Sequence, residues 1–195
     1  YLADCFGLRL LNRRGCFPQF DKFIEQTKDV WTHLVDIRKS FEPRAEELAR
    51  KYALAPYTMF IGSGALWGET ILFSMCILEE MQWKRTRYIT SADFFHGTLE
   101  LVEPGVPVFL FMGEDENRKL DERVRAFLNR GVTGDTDINI IDTAEFAIPG
   151  LDDDFRVIVS PWILTVLVTD RLARYYETVT KHNLKYRRYY HQFDY

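Results

Sequence analysis

The sequence predicts a three-layer α/β/α sandwich built on a central parallel sheet. Short strand-like and helix-like runs take turns along most of the chain, and the strand-like runs are too apolar to keep a wet face. Composition agrees: 195 residues, 47% of them hydrophobic and 28% charged, suffice for one domain that buries its own core.

Residues 1–16 are a short apolar stretch closed by Arg13 and Arg14, with no initiator methionine. They read as a linker helix interrupted at Tyr1, so that the chain is expected to be the C-terminal piece of a longer polypeptide. From Phe20, the apolar residues Phe20, Phe23, Ile24, Trp31, Leu34, Val35 and Ile37 recur at three- and four-residue steps, which predicts an amphipathic helix ending near Phe41. Pro43 then suits a first helical turn, and residues 44–52 form a second, short helix. Beyond Pro56, residues 57–61 read as a strand and Gly62-Ser63-Gly64 as a tight turn. Residues 66–81 follow as a helix apolar almost all round, fit for burial against a sheet. Further strands are expected at 88–90, 106–111 and 138–141, with a charged amphipathic helix over 118–129. Gly150 and the acidic run 152–154 make a loop, and a last helix starts with Ser160 as cap and Pro161 at its first position, running to about Lys181. Residues 182–195 are an aromatic and basic tail.

Charge and cysteine usage exclude several functions. The formal net charge of -4, from 25 basic and 29 acidic residues, gives no overall attraction for nucleic acid or an anionic membrane. The longest apolar run, 157–168, is interrupted by Ser160 and Pro161 and falls short of the roughly 20 residues of a membrane helix. Cys5, Cys16 and Cys76 form no C-x-x-C pair, against both a disulfide framework and a zinc site. The expectation is a cytoplasmic protein with no metal, no cofactor, no nucleic-acid partner and no membrane partner.

Four places could carry chemistry. The turn at Gly62, Ser63 and Gly64 offers backbone N–H groups at a helix N-terminus, where an anion or a sugar hydroxyl could bind, although it lacks both G-x-G-x-x-G spacing and a P-loop ending. A tight strand-to-helix connection explains it equally well. Glu79 and Glu80 close the apolar helix, and a carboxylate desolvated there would gain basicity. Helical periodicity leaves open which of the two turns inward. His96 lies in a loop between strands, after Phe94 and Phe95 and before Gly97. His33, His182 and His191 read as structural. In the tail, Arg187 and Arg188 stand among tyrosines, a combination suited to a phosphate over a closed site or to plain solvation.

The runs TMFIGSGALWGE, ILEEMQW and SADFFHGTLELVEPGVPVFLF, with RRYYHQFDY at the end, resemble the sugar isomerase (SIS) domain family. The likeness is to the second SIS domain of bacterial fructosamine 6-phosphate deglycases and, more distantly, to the isomerase half of glucosamine 6-phosphate synthase. It covers residues 17 to 195, with 17–181 as the SIS domain and 182–195 as a tail closing over the active site. The resemblance implies that Glu80, not Glu79, is the catalytic glutamate and that His96, sixteen residues on, opens the sugar ring. The family often has proline where this chain has Thr98, and the synthase-type lysine falls at Ile77, which favours a deglycase. The implied function is cleavage of a fructosyl amino acid 6-phosphate into glucose 6-phosphate and an amino acid. The implied partners are that phosphorylated sugar-amine and a second copy in a homodimer, whose histidine loop completes the neighbour's site. An aldose-ketose isomerase of amino-sugar phosphates and a regulatory phosphosugar-binding module are the alternatives. In the family, a first SIS domain that precedes these residues carries the phosphate-gripping loop.

Overall fold

The computed structural model describes every residue except Val132, Thr133, Asp135 and Tyr195, so the last residue of the RRYYHQFDY motif lies outside the described residues. The helices are α1 (Leu2–Arg13), α2 (Phe20–Thr27), α3 (Val30–Tyr52), α4 (Trp67–Ile71), α5 (Arg118–Leu128), α6 (Asp153–Leu164) and α7 (Ala173–Thr180). The strands β1 (Thr58–Gly62), β2 (Thr86–Ile89), β3 (Val108–Met112) and β4 (Ile138–Asp142) form one sheet in the order β2-β1-β3-β4, parallel throughout.

Every residue of β1 and β3 is buried, as expected for strands covered on both faces. Alternation sends Phe60, Phe109 and Phe111 to one side, where they pack with the apolar faces of α3, α6 and α7, and the Phe60 and Phe109 rings stack with centroids 5.2 Å apart. Met59, Ile61, Val108, Leu110 and Met112 point to the other side, against Phe94 and against Val124 and Leu128 of α5. Helix, sheet and helix are the three layers. No helix among the described residues is long and apolar enough to cross a membrane.

Three expectations are corrected. The first long helix breaks at residues 28–29 instead of near Phe41, and α3 runs straight through Pro43. Its buried stripe Ile37, Phe41, Ala45, Leu48 and Ala49 faces one continuous core, and that packing outweighs the roughly 3 kcal/mol an interior proline costs. The last helix starts at Asp153, not at Ser160. Asp153 and Asp154 occupy its first turn, where acidic side chains complement the helix dipole. Pro161 therefore sits inside α6 and cannot donate to the Val157 carbonyl; the Ser160 hydroxyl donates to that carbonyl instead, at 3.3 Å. Finally, the helix apolar all round is not uniform. After α4 it continues as a π-helix over Leu72–Glu79, and a second π segment, Thr165–Leu172, joins α6 to α7.

Candidate active site

The π-helix runs back along the sheet from the carboxyl end of β1 and ends at the amino end of β2. There the Thr86 hydroxyl donates to Glu79 Oε1 at 2.6 Å, so Glu79 is tied to the first residue of a strand. Glu80 faces the tail. Its Oε1 pairs with Arg187 Nε at 2.7 Å, and its side chain is 33% exposed. Glu80 is thus not desolvated by the apolar helix, contrary to expectation; a guanidinium holds it. Burial, and then the charge of Glu80, push the Cys76 thiol pKa up. π-helical winding is uncommon and concentrates at functional positions.

The tail is fastened by ordinary bonds. Gln82 Nε2 donates to the His182 carbonyl at 2.5 Å, and the Thr180 hydroxyl donates to Gln82 Oε1 at 2.7 Å. The Leu184 N–H donates to Glu177 Oε1 at 2.9 Å. Arg187 Nη1 donates to the carbonyls of Leu184 and Tyr186 at 2.9 and 2.8 Å, which aims its Nε at Glu80. Arg188 lies over the Trp83 ring, 4.3 Å from its centroid. Between the helix end and the tail lies an open cleft of about 390 Å³ lined by Glu79, Glu80, Trp83, Lys84, Arg187 and Arg188 with two tail tyrosines. Burial lowers the Lys84 pKa. Sequence reasoning passed over Gln82, Trp83 and Lys84; only the continuity of the run after Glu80 pointed to them.

The other two candidates sit at the opposite, carboxyl-terminal end of the strands. Glu79 touches the first residue of β2, whereas His96 follows the last; the three 3.3 Å steps from Thr86 to Ile89 put about 10 Å between those ends. His96 is exposed and closes a short 3-10 helix, Asp93–His96. Its loop is well anchored. Thr90 Oγ1 donates to Asp93 Oδ2 at 2.7 Å, Phe94 and Phe95 pack edge-on against Phe127, and Arg123 covers Phe95 at 4.1 Å. Within one copy, then, Glu80 and Arg187 come together with Arg188, and His96 does not join them.

The glycine turn at Gly62, Ser63 and Gly64 lies on the His96 side, and its groups are used internally. Gly64 has φ +56°, and a side chain there would collide with the Asp115 carboxylate. That carboxylate accepts from the Ala65 N–H at 2.5 Å, taking an amide that the sequence left open for an anion. Ser63 Oγ accepts from the Ser91 N–H at 2.7 Å. The neighbouring hollow is lined by Glu114, Asp115, Glu116, Asp153 and Asp154, which repel a phosphate. A connecting turn accounts for this geometry. Among the described residues, no group of three or more His, Cys, Asp or Glu side chains is placed to hold a metal ion.

Across 94% of its length the chain is 28% identical to a fructosamine deglycase of Bacillus subtilis, and across 97% it is 29% identical to a fructoselysine 6-phosphate deglycase of Escherichia coli. The chain is a relative of these deglycases. It spans about half the length of the curated relatives it matches, 54% of each. Among solved structures, a Salmonella typhimurium protein described as a phosphosugar isomerase superposes with TM-score 0.86 at 27% identity, over 96% of this chain and 57% of that one. A Bacillus subtilis protein of the same description gives 0.83 at 26%, over 91% and 53%. The C-terminal domain of a Francisella tularensis glucosamine-fructose-6-phosphate aminotransferase, at 14% identity and TM-score 0.67 over 92% and 51%, shares the fold. These are SIS-fold proteins. No protein-family model matches the chain.

Proposed function

We propose that this chain supplies the acid–base half of a deglycase that splits fructosyl amino acid 6-phosphates into glucose 6-phosphate and a free amino acid. The observation that carries the reading is the Glu80 carboxylate held by Arg187 at the wall of a cleft lined by the tail. A ketoamine resists direct hydrolysis, so the reaction needs a base at C1. Arg187 engages Oε1, and among the described residues nothing else holds Oε2, which is the oxygen for the C1 proton. Taking that proton gives an enolamine; returning it at C2 gives a C1 imine, which water splits to the aldose phosphate and the amine. Both transfers lie on one face of the enolamine, so one carboxylate performs them. The cations Arg187 and Arg188 favour an anionic substrate.

Ring opening falls to His96, an imidazole that can both donate and accept a proton through its two ring nitrogens. Since His96 is exposed on an anchored loop at the other end of the strands from Glu80, it acts in the cleft of a second copy, and the working unit is a homodimer. Aldose-ketose isomerisation of an amino-sugar phosphate would use the same C1-to-C2 proton transfer, and product analysis separates the two. The test is release of glucose 6-phosphate by the full-length protein from a panel of fructosyl amino acid 6-phosphates. Glu80→Gln should lose roughly a hundredfold or more in turnover while substrate binding survives. Full activity in Glu80→Gln would sink the mechanism.

A further inference from the structure

Lys84 stands out because it is a half-buried cation with no counter-charge: among the described residues no hydrogen bond or ion pair reaches its ammonium, and it lines the cleft four residues after Glu80. Beside it, Trp83 adopts φ +53°, a left-handed conformation that glycine takes easily and a bulky side chain adopts only at a cost. The left-handed turn closes the helix: the Trp83 and Lys84 N–H groups donate to the carbonyls of Glu79 and Leu78 at 3.1 and 2.8 Å. Its effect is to place the indole under Arg188, which makes no ion pair among the described residues and is held over the ring. Counting formal charges on the cleft wall, Lys84, Arg187 and Arg188 stand against Glu79 and Glu80, and Arg187 is committed to Glu80. Two cations next to the base are therefore left for an anionic group of the ligand.

We propose that Lys84 and Arg188, with Trp83 as platform, form a subsite for a carboxylate carried by the amine half of the substrate. The protein would thus select conjugates of amino acids with a free carboxylate over conjugates of simple amines. This rests on the deglycase reading above. In an α-amino acid conjugate the carboxylate carbon is two bonds from the nitrogen on C1, the carbon at which Glu80 acts, whereas the phosphate sits at the far end of the sugar. Cations sharing a wall with Glu80 are placed for the nearer group.

The experiment compares two conjugates of nearly equal size in the full-length protein, fructosylglycine 6-phosphate and fructosylethanolamine 6-phosphate, which differ by a carboxylate against a hydroxymethyl. The readout is the ratio of their kcat/KM values. The expected ratio is about tenfold or more in favour of glycine for the native protein, falling towards one in Lys84→Met and partway in Arg188→Gln. Equal values for the native protein, or an unchanged ratio in Lys84→Met, would overturn the subsite. A Lys84→Met variant that loses both substrates in proportion would assign the lysine to the shared phosphate or to folding, and also overturns it. If the native protein turns over neither conjugate yet releases glucose 6-phosphate from another member of the panel, this inference falls and the deglycase reading stands; no glucose 6-phosphate from any member overturns both.

Discussion

Replacing Asp121 by asparagine should change how stability depends on pH, and the size of the change follows from where this carboxylate lies. Asp121 belongs to α5, is 1% exposed, and accepts from Ser91 Oγ at 2.5 Å and from the Gly113 N–H at 3.3 Å. Burial raises its pKa from 3.8 to about 6; the two hydrogen bonds and Arg118 oppose the rise, and Asp115 adds to it. For an acid whose pKa is higher in the folded state, the stabilising contribution is fully present below the unfolded value. It is then lost as pH climbs through the folded one. The gap from 3.8 to about 6, at 1.36 kcal/mol per pH unit, makes that loss about 3 kcal/mol in full, most of it between pH 4 and pH 7. Asparagine keeps an acceptor for Ser91 and does not titrate. Urea unfolding of both proteins from pH 4 to pH 8 gives the difference in unfolding free energy, in which other titrating groups cancel. Relative to Asp121→Asn, the native protein should lose about 2 to 3 kcal/mol over that range. A difference constant to within about 0.5 kcal/mol would refute the reasoning, whatever its absolute value.

Other changes have equally direct readouts. Gly64→Ala forces a side chain into a left-handed backbone and displaces Asp115 from the Ala65 N–H; a loss of about 2 kcal/mol or more is expected, and an unchanged Tm would contradict it. Gln82→Ala removes the bonds from Gln82 to His182 and Thr180 where the tail leaves α7, so trypsin should cut after Lys185, Arg187 or Arg188 several-fold faster while the Tm falls by only a few degrees; unaltered cleavage would mean that the remaining bonds hold the tail without Gln82. Glu79→Gln should keep most of the turnover, because Glu79 is occupied by Thr86, and a dead Glu79→Gln beside an active Glu80→Gln would reverse the assignment.

The layers were legible because β1 and β3 are buried on both faces, and burial of that kind writes a continuous apolar run such as VFLFM into the sequence. What misled the reading was local punctuation. Pro43 and Pro161 are helix breakers by local rules, yet α3 and α6 pass through them because one core backs each helix from end to end. Glu80 and Arg187 are more than a hundred residues apart in sequence, and only the family resemblance laid the tail over the helix end. The filling of the glycine turn by Asp115 was illegible for the same reason: a contact spanning fifty residues leaves no periodic trace. Trp83 gave no sign, since a left-handed tryptophan has no sequence signature.

Whether Glu80 of one copy works with His96 of another is tested most directly by mixing two inactive variants. Glu80→Gln and His96→Gln should each be inactive alone, whereas mixed subunits contain one site in which a native Glu80 meets a native His96. With random pairing into dimers, half of the dimers are mixed and each has one working site of two, so about a quarter of the native activity should return. Recovery near that level, absent when either variant is mixed with a Glu80→Gln, His96→Gln double variant, is the predicted result. No recovery under conditions where subunits demonstrably exchange would contradict a site shared between two copies.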